Sequence, residues 1–309
     1  KKIKLINLGL LKKNNNKLQS LYNFIHRIVV IRRLLIRGKF NCFISFINTM
    51  NITMLIGSIF LNLTKIISDR NNPFYSRNTL LIKIMKILFY RYANKLVLQT
   101  SKVKEYYWFV NKKKIVVINN FFSEQFSKKI KYNLKKKIKI LVVSKIEKQK
   151  GLEILISALI QIKKRYNFKC DIYGKGNMQA SIKNLITKNN MSNLIFLKKP
   201  KNLSHVYKKY DLYILSSYFE GYPNSLVEAM MVGLPVISSS CDYGPKEIIS
   251  ENKNGIFFKV GSKLDLIKKI ELMLNDYKFA SNLGKKAKQT YESSEINRKN
   301  LKKWLKILI

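Results

Sequence analysis

Short apolar runs alternate with longer amphipathic segments along this chain of 309 residues. A buried strand followed by a helical pattern is typical of a βαβ unit, whose strands lie parallel in one sheet. The predicted strands of the first part of the chain cover residues 1–10, 40–46, 65–68, 95–98 and 114–118. Those of the second part cover residues 137–143, 169–173, 194–197, 212–215, 235–239 and 255–258. The alternation therefore predicts an α/β protein built on doubly wound parallel sheets.

The alternation is interrupted by a polar and basic stretch at 119–136 and then begins again. We place an interdomain linker at 121–136, between a first domain at 1–120 and a second domain at 137–290. Residues 291–309 are predicted to form a terminal helix that crosses back to the first domain or caps its own. The predicted helices cover residues 17–37, 50–63, 77–93, 100–110, 151–165, 177–189, 203–209, 225–232, 264–275 and 293–308.

Composition excludes several classes of protein. The three cysteines, Cys42, Cys170 and Cys241, are far apart and form no C-x-x-C pair, so we expect neither a disulfide framework nor a zinc site. The two histidines, His26 and His205, have no second ligand at helical spacing. No apolar run is long enough to cross a bilayer. We therefore expect a protein of the reducing cytoplasm without a metal site.

The formal net charge of +43 raises the question of nucleic-acid binding. The lysines are spread over the whole chain, and no helix-turn-helix, zinc-finger or RNP motif accompanies them, so no specific nucleic acid is expected as a partner. Attraction to an anionic membrane surface is the more direct consequence. Residues 17–37 mix apolar side chains with four arginines, as interfacial helices do. The alternative is a domain helix whose arginines reach solvent.

The scarce acidic residues mark a candidate site. Of seventeen in the chain, five fall within 220–251. Glu220 and Glu228 flank a sharp turn that follows a predicted strand and opens a predicted helix, and a helix N-terminus favours anions. The alternative is structural, since Ser225 and Glu228 also form the S-x-x-E pattern of a capping box, and Glu220 would then be an ordinary loop carboxylate.

The two glutamates resemble the E-x7-E signature of the retaining glycosyltransferases of family 4. That family has the GT-B fold of two facing Rossmann-like domains. The resemblance implies that Glu228 accepts hydrogen bonds from the ribose of a nucleotide donor, and that Glu220 and the neighbouring loop hold the transferred sugar. The donor-binding residues that it implies are Glu228, Gly221, Tyr222, Pro223, Asn224, Ser225, Leu226, Gly174, Gly244 and Glu247.

Two further loops resemble motifs of the same family. The stretch 143–151 resembles the S/G-R-x4-K-G loop that holds the donor diphosphate, with Lys150 matching and Lys145 in place of arginine. Together with Glu220, these lysines are the predicted catalytic residues. The stretch 241–248, CDYGPKEI, resembles the C-x-x-G-P-x-E-I loop, in which Glu247 is either a ligand or an architectural residue.

The resemblance implies transfer of a sugar from a UDP- or GDP-linked donor to a glycan or lipid-linked acceptor, with retention of configuration. It points to the branch that builds surface polysaccharides and lipid-linked glycans. No cofactor is expected beyond the nucleotide-sugar substrate. No metal is expected either, because the chain contains no D-x-D motif.

The first domain departs from the family pattern. It shows no glycine-rich loop after an opening strand and starts at Lys1, so we expect its first strand and helix to be missing. Two other functions therefore stay open. One is a catalytically impaired basic protein that binds a membrane surface or nucleic acid, and the other is a different GT-B activity, such as a phosphorylase or an epimerase.

Overall fold

A computed structural model describes residues 6–10, 16–70, 72–75, 79–123, 137–199 and 203–308. Within them the chain forms two compact units. The first comprises Lys1–Gln99, Val103–Val117 and Ile307–Ile309, and the second comprises Thr100–Lys102 and Ile118–Lys306. Most of the predicted linker, residues 124–136, lies outside the described residues. The predicted domain boundaries stay a prediction.

The first unit is built on a parallel four-stranded sheet in the order β1-β2-β3-β4. Its strands are β1 (Cys42–Phe46), β2 (Thr64–Asp69), β3 (Lys95–Leu98) and β4 (Ile115–Val117). Helix α1 (Lys17–Arg37) precedes the sheet, while α2 (Asn48–Gly57) and α3 (Leu80–Phe89) connect its strands. Right-handed crossovers that advance in one direction place α2 and α3 on the same face of the sheet.

Three predictions for this unit were wrong in extent or type. Residues 6–10 form no strand, and the exposed side chains of Ile6 and Leu8 show that no neighbouring strand covers them. Helix α2 ends at Gly57 instead of 63, because Phe60 adopts a left-handed backbone with φ of 62°. The predicted helix at 100–110 is a 3₁₀ segment at Lys102–Tyr107.

Helix α1 begins at an Asn16 cap, whose Oδ1 accepts the Gln19 N–H at 2.8 Å. It packs against α2, where the Arg32 guanidinium donates to the Gly57 carbonyl at 3.2 Å and to the Ile59 carbonyl at 2.8 Å. At least one of the four predicted surface arginines is therefore a structural donor that joins two helices. Among the described residues, no helix combines the length and the hydropathy that a bilayer crossing requires.

A buried ion pair lies at the end of β2. Lys86 Nζ in α3 is 2.7 Å from Asp69 Oδ2, and both side chains are 1% exposed. The carboxylate also accepts from Tyr90 OH at 3.0 Å, from Asn51 Nδ2 at 3.0 Å and from Tyr107 OH. Burial and the adjacent Asp69 raise the pKa of both tyrosines well above their ordinary value, which keeps them protonated as donors. This network fastens α2 and α3 to the sheet.

The second unit contains a parallel six-stranded sheet in the order β10-β9-β8-β5-β6-β7. The order reverses between β5 and β8, where the chain has finished one half of the sheet and starts the other. The strands are β5 (Ile138–Val143), β6 (Phe168–Tyr173), β7 (Ile195–Lys198), β8 (Leu212–Leu215), β9 (Val236–Ser239) and β10 (Ile256–Phe258).

Helices cover both faces of this sheet, which explains why its strands are apolar on both sides. One buried cluster joins the strands to α4 (Leu152–Ile162), α5 (Gln179–Lys188) and α8 (Lys263–Asn275). A second cluster lies against α6 (Asn224–Val232). The short α7 (Pro245–Ile248), α9 (Tyr277–Thr290) and α10 (Ser293–Leu308) complete the unit. The predicted fold class, two parallel-sheet α/β domains, is confirmed.

Replacing Lys86 by Met should lower the free energy of unfolding by about 3–5 kcal/mol, because Asp69 would stay buried without its cation. Urea denaturation followed by circular dichroism measures this change. Lys83→Met, at an exposed position of the same helix, is the matched control and should be nearly neutral. Equal stability of the two variants would contradict the role given to the buried pair.

Candidate functional site

The candidate site lies in the second unit at the carboxyl ends of β5 and β8. These strands are neighbours at the point where the strand order reverses. In open parallel sheets, the loops that leave such a point form a crevice in which ligands bind. The loop after β5 carries Lys145 and Lys150, and the loop after β8 carries Glu220. Topology therefore brings two separate sequence motifs to the same edge of the sheet.

The structure joins Lys150 and Glu220 directly. Lys150 Nζ is 2.7 Å from Glu220 Oε1, with the two side chains 16% and 6% exposed. Ser217 Oγ donates to the same carboxylate oxygen at 2.6 Å. Ser216 Oγ donates to the Lys150 carbonyl at 2.8 Å, so a bond from a side chain to the backbone also joins the two loops. The pair is thus a fixed, largely desolvated arrangement of opposite charges.

Glu228 occupies a different environment in the second turn of α6. Its half-buried carboxylate accepts a hydrogen bond from Tyr207 OH at 2.6 Å. Burial raises the pKa of Glu228, and the Tyr207 hydrogen bond opposes that rise because it favours the ionised form. The capping-box alternative is wrong: α6 begins at Asn224 after Pro223, and no side chain caps it. Glu228 therefore does not cap the start of α6.

The loop between the two glutamates leads into the start of α6. Asn224 Oδ1 accepts from Asn120 Nδ2 at 2.5 Å, and Ser225 Oγ accepts from Tyr213 OH at 2.8 Å. Leu226 differs from the other predicted donor residues, because its side chain is fully buried in the core and its N–H donates to the Pro223 carbonyl at 3.1 Å. Its side chain supports the helix and does not face a ligand.

Tyr222 and Gly221 stand beside the loop that contains Gly244. Burial raises the pKa of the half-buried Tyr222 hydroxyl, so it stays a protonated donor. Gly244 has φ of 81° and ψ of −80°, and a Cβ there would lie 2.2 Å from the Gly221 carbonyl oxygen. Only glycine fits this close approach of the two loops.

Gly174 provides a similar contact on the other side of β5. A Cβ at Gly174 would lie 1.8 Å from the Ser144 carbonyl oxygen, so the loop after β6 lies directly against the loop after β5. Gly174 N–H donates to the Lys198 carbonyl at 3.0 Å, which also fixes it to β7. The predicted role beside the donor stays a prediction, and the packing role is what the contacts show.

The contacts that the structure describes for Lys145 and Glu247 are with residues other than Lys150 and Glu220. The Lys145 side chain is 74% exposed, and its ammonium lies 3.9 Å from Glu147. The Glu247 carboxylate accepts from Ser101 N–H and Oγ, each at 2.8 Å, and from Lys102 N–H at 3.0 Å. These bonds give Glu247 an architectural contact, and its role as a donor ligand stays a prediction.

Two residues of the site were missed in the sequence. Ser217 follows β8 directly, and its position at a strand end, three residues before Glu220, was a usable signal. Tyr207 lies 21 positions before Glu228 and has no periodic relation to it, so the sequence carried no signal for that contact. Within the described ranges, no three His, Cys, Asp or Glu side chains are grouped so as to hold a metal ion. The expectation of a metal-free site stays a prediction.

Comparison with known proteins gives the family. The sequence profile of Glycosyl transferases group 1 matches residues 123–290. The chain is also 28% identical over 285 residues to the GalNAc-alpha-(1->4)-GalNAc-alpha-(1->3)-diNAcBac-PP-undecaprenol alpha-1,4-N-acetyl-D-galactosaminyltransferase of Campylobacter jejuni subsp. jejuni serotype O:2. That alignment covers 91% of this chain and 78% of the relative.

Solved structures share the fold at lower identity. A glycosyltransferase from Rickettsia africae superposes with a TM-score of 0.78 at 17% identity, over 96% of this chain and 84% of that one. The pneumococcal O-GlcNAc transferase GtfA, in complex with UDP and GlcNAc, superposes with a TM-score of 0.72 at 18% identity. The match covers 90% of this chain and 60% of GtfA. Such likenesses establish the fold.

Gly244→Ala should lower the free energy of unfolding by about 2 kcal/mol or more, since the new methyl meets a carbonyl oxygen and the backbone stays at positive φ. Thermal and urea denaturation measure the change. Gly261→Ala is the matched control: its φ is 77°, but the nearest atom to a Cβ is a Tyr218 ring carbon at 3.7 Å. Gly261→Ala should lower the free energy of unfolding by about 1 kcal/mol. Equal costs would show that the contact with Gly221 is unimportant.

Tyr207→Phe should raise the pKa of Glu228 further, because the hydrogen bond that favours the ionised carboxylate is lost. In the unfolded chain Glu228 has its ordinary pKa of about 4.3. Burial of the ionised carboxylate therefore lowers the free energy of unfolding only above that pH. The variant should therefore lose more stability at pH 7 than at pH 4. Carbon-13 NMR titration of labelled glutamate reports the pKa directly.

The control for this substitution is Tyr166→Phe, which removes an exposed tyrosine hydroxyl bonded to Asn275. It should leave the Glu228 titration unchanged. An unchanged Glu228 pKa in Tyr207→Phe would contradict the assigned hydrogen bond.

Proposed function

Because the chain belongs to the Glycosyl transferases group 1 family, we propose that it transfers a sugar from a nucleoside diphosphate donor to a glycan or lipid-linked acceptor, with retention of configuration. The observation that carries this proposal is the Lys150–Glu220 ion pair at the edge where the strand order reverses. Family membership makes the chain a glycosyltransferase. The donor, the acceptor and the stereochemistry are the proposed part.

In this proposal the diphosphate lies between Lys150 and the start of α6. The unpaired N–H groups at a helix start and the helix dipole favour an anion. A buried glutamate beside a diphosphate would repel it, but Lys150 neutralises Glu220 and offers positive charge at the same point. Lys145, which is exposed and on the same loop, is the proposed second cation. As lysines, both act on phosphate as point charges.

The two glutamates have separate roles in the proposal. Glu220 is held by two donors, Lys150 and Ser217, so its orientation is set before the sugar arrives. It accepts hydrogen bonds from hydroxyls of the transferred sugar, and the N–H groups of Gly221, Tyr222 and Asn224 donate to oxygens of the same sugar. Glu228 Oε2 is occupied by Tyr207, and we assign its Oε1 to the ribose hydroxyls. Ionised glutamate is the form required for both roles.

The proposed reaction takes place on one face of the sugar. The bond between the anomeric carbon and the diphosphate oxygen breaks, and the acceptor oxygen bonds to the same face of that carbon. The acceptor hydroxyl proton passes to the leaving phosphate, so no protein base is needed. Lys150 and the α6 start stabilise the charge that builds on the diphosphate, which is the metal-free route we propose.

The names of the relatives suggest where to begin with substrates. The Campylobacter relative is named for transfer of N-acetylgalactosamine to an undecaprenol-linked glycan, and the pneumococcal structure holds UDP and GlcNAc. We therefore propose a UDP-linked N-acetylhexosamine as the first donor to test, with GDP-sugars as the next. The three free cysteines suit the reducing cytoplasm, which is the proposed location.

Calorimetry with UDP-GlcNAc, UDP-GalNAc and GDP-mannose tests the donor site. Glu228→Gln should weaken donor binding about 10- to 150-fold, which corresponds to the 1.5–3 kcal/mol of a hydrogen bond to a charged group. Glu292→Gln, an exposed glutamate outside the site, is the control and should bind as the unmodified chain does. Equal binding by both variants would refute the assigned donor site, and an inverted anomeric centre in the product would refute retention.

A further inference from the structure

Helix α3 buries a lysine and exposes leucines, which is the reverse of the usual polarity at these positions. Its buried residue is Lys86, whereas four apolar side chains face outward: Leu80 (73% exposed), Leu81 (65%), Ile84 (45%) and Leu88 (46%). At about 100° per residue these four lie within about 100° of the circumference, on the side opposite Lys86. Exposed apolar patches of this kind mark an interaction surface, whereas scattered single residues do not.

Helix α1 carries a second outward apolar stripe. Leu18, Leu21, Tyr22, Ile25, Val29 and Ile36 are each at least 40% exposed. They also fall within about 100° of the helix circumference and extend over about 27 Å. Arg33 and Arg37 are exposed along one edge of this stripe. The two stripes belong to one layer, because α1 packs on α2 and α2 packs on α3.

The charge of the first unit indicates what this layer contacts. Residues 1–117 contain 23 lysines and arginines but two acidic residues, Asp69 and Glu105. Asp69 is buried and paired, so it contributes no negative charge to the surface. Basic side chains bordering an apolar helix face are the pattern of an interfacial helix on anionic lipid.

We propose that the outer face of α1 and α3 is a membrane-docking surface for anionic lipid bilayers. The apolar stripes enter the boundary between headgroups and acyl chains, while Arg33, Arg37 and Lys83 contact lipid phosphates. The reversed polarity of α3 then has a physical reason, since its leucines leave water on docking. This inference does not depend on the proposed transfer reaction. It would, however, place the chain beside an acceptor carried on a lipid.

Cosedimentation with vesicles tests the proposal. The full chain should bind vesicles of phosphatidylcholine and phosphatidylglycerol, bind phosphatidylcholine alone much more weakly, and lose binding as salt rises. The double variant Ile25→Glu/Ile84→Glu should bind at least about tenfold more weakly, because it places charge in both apolar stripes. Arg33→Glu should weaken binding about fivefold or more, the equivalent of about 1 kcal/mol for each basic residue at such a surface.

Matched controls lie on α8 in the second unit. Leu264→Glu replaces a leucine that is 65% exposed, and Lys268→Glu reverses an exposed charge, so both should bind as the unmodified chain does. Circular dichroism confirms that each variant is folded. Undiminished binding by a folded Ile25→Glu/Ile84→Glu variant would overturn the proposal. So would equal binding to neutral vesicles, or a dimer in light scattering that this variant abolishes, since the face would then join two copies of the chain.

Discussion

The ion pair between Lys150 and Glu220 is the interaction on which the site depends. Where the connections that follow two neighbouring parallel strands run in opposite directions, an opening forms between their loops. Here the loops after β5 and β8 are joined by opposite charges and by the bond from Ser216 Oγ to the Lys150 carbonyl, while Ser217 orients Glu220 within its own loop. The same pair gives the edge a cation and an oriented carboxylate. One contact therefore supports the structure and supplies the chemistry that we assign to it.

In the first unit, the central interaction is the buried ion pair between Lys86 and Asp69. A lysine in the centre of a folded layer costs desolvation, and Asp69 with its tyrosine and asparagine donors offsets that cost. With Lys86 held inside, the four exposed apolar side chains on the opposite side of α3 face outward. The buried network and the exposed stripe are thus two results of one helix orientation.

Strands were the part of the fold most readily predicted from sequence, because their apolar runs are short and bounded by glycine or polar residues, and in the second unit are buried on both faces. At residues 6–10 the strand prediction was wrong, since a strand also needs a partner, which composition does not reveal. In the site, Lys150 and Glu220 were assigned through their resemblance to two family motifs, whereas their ion pair depends on β5 and β8 being neighbours, which was not predicted from the sequence. Tyr207 could not be found, since its hydroxyl reaches Glu228 from a 3₁₀ turn without regular spacing. Glu247 matched a motif but serves a contact with Ser101 and Lys102 that no local pattern encodes.

The asparagines of the second unit connect its last helix to the start of α6. Asn300 in α10 donates to the Asn120 carbonyl at 2.9 Å, and Asn120 donates to Asn224 at the beginning of α6. Asn297 exchanges two further bonds with the backbone of Phe122. Amide side chains can donate and accept at once, so these bonds tie the terminal helix to the first turn of α6. The far end of the chain thus helps to hold the loop between the two glutamates in place.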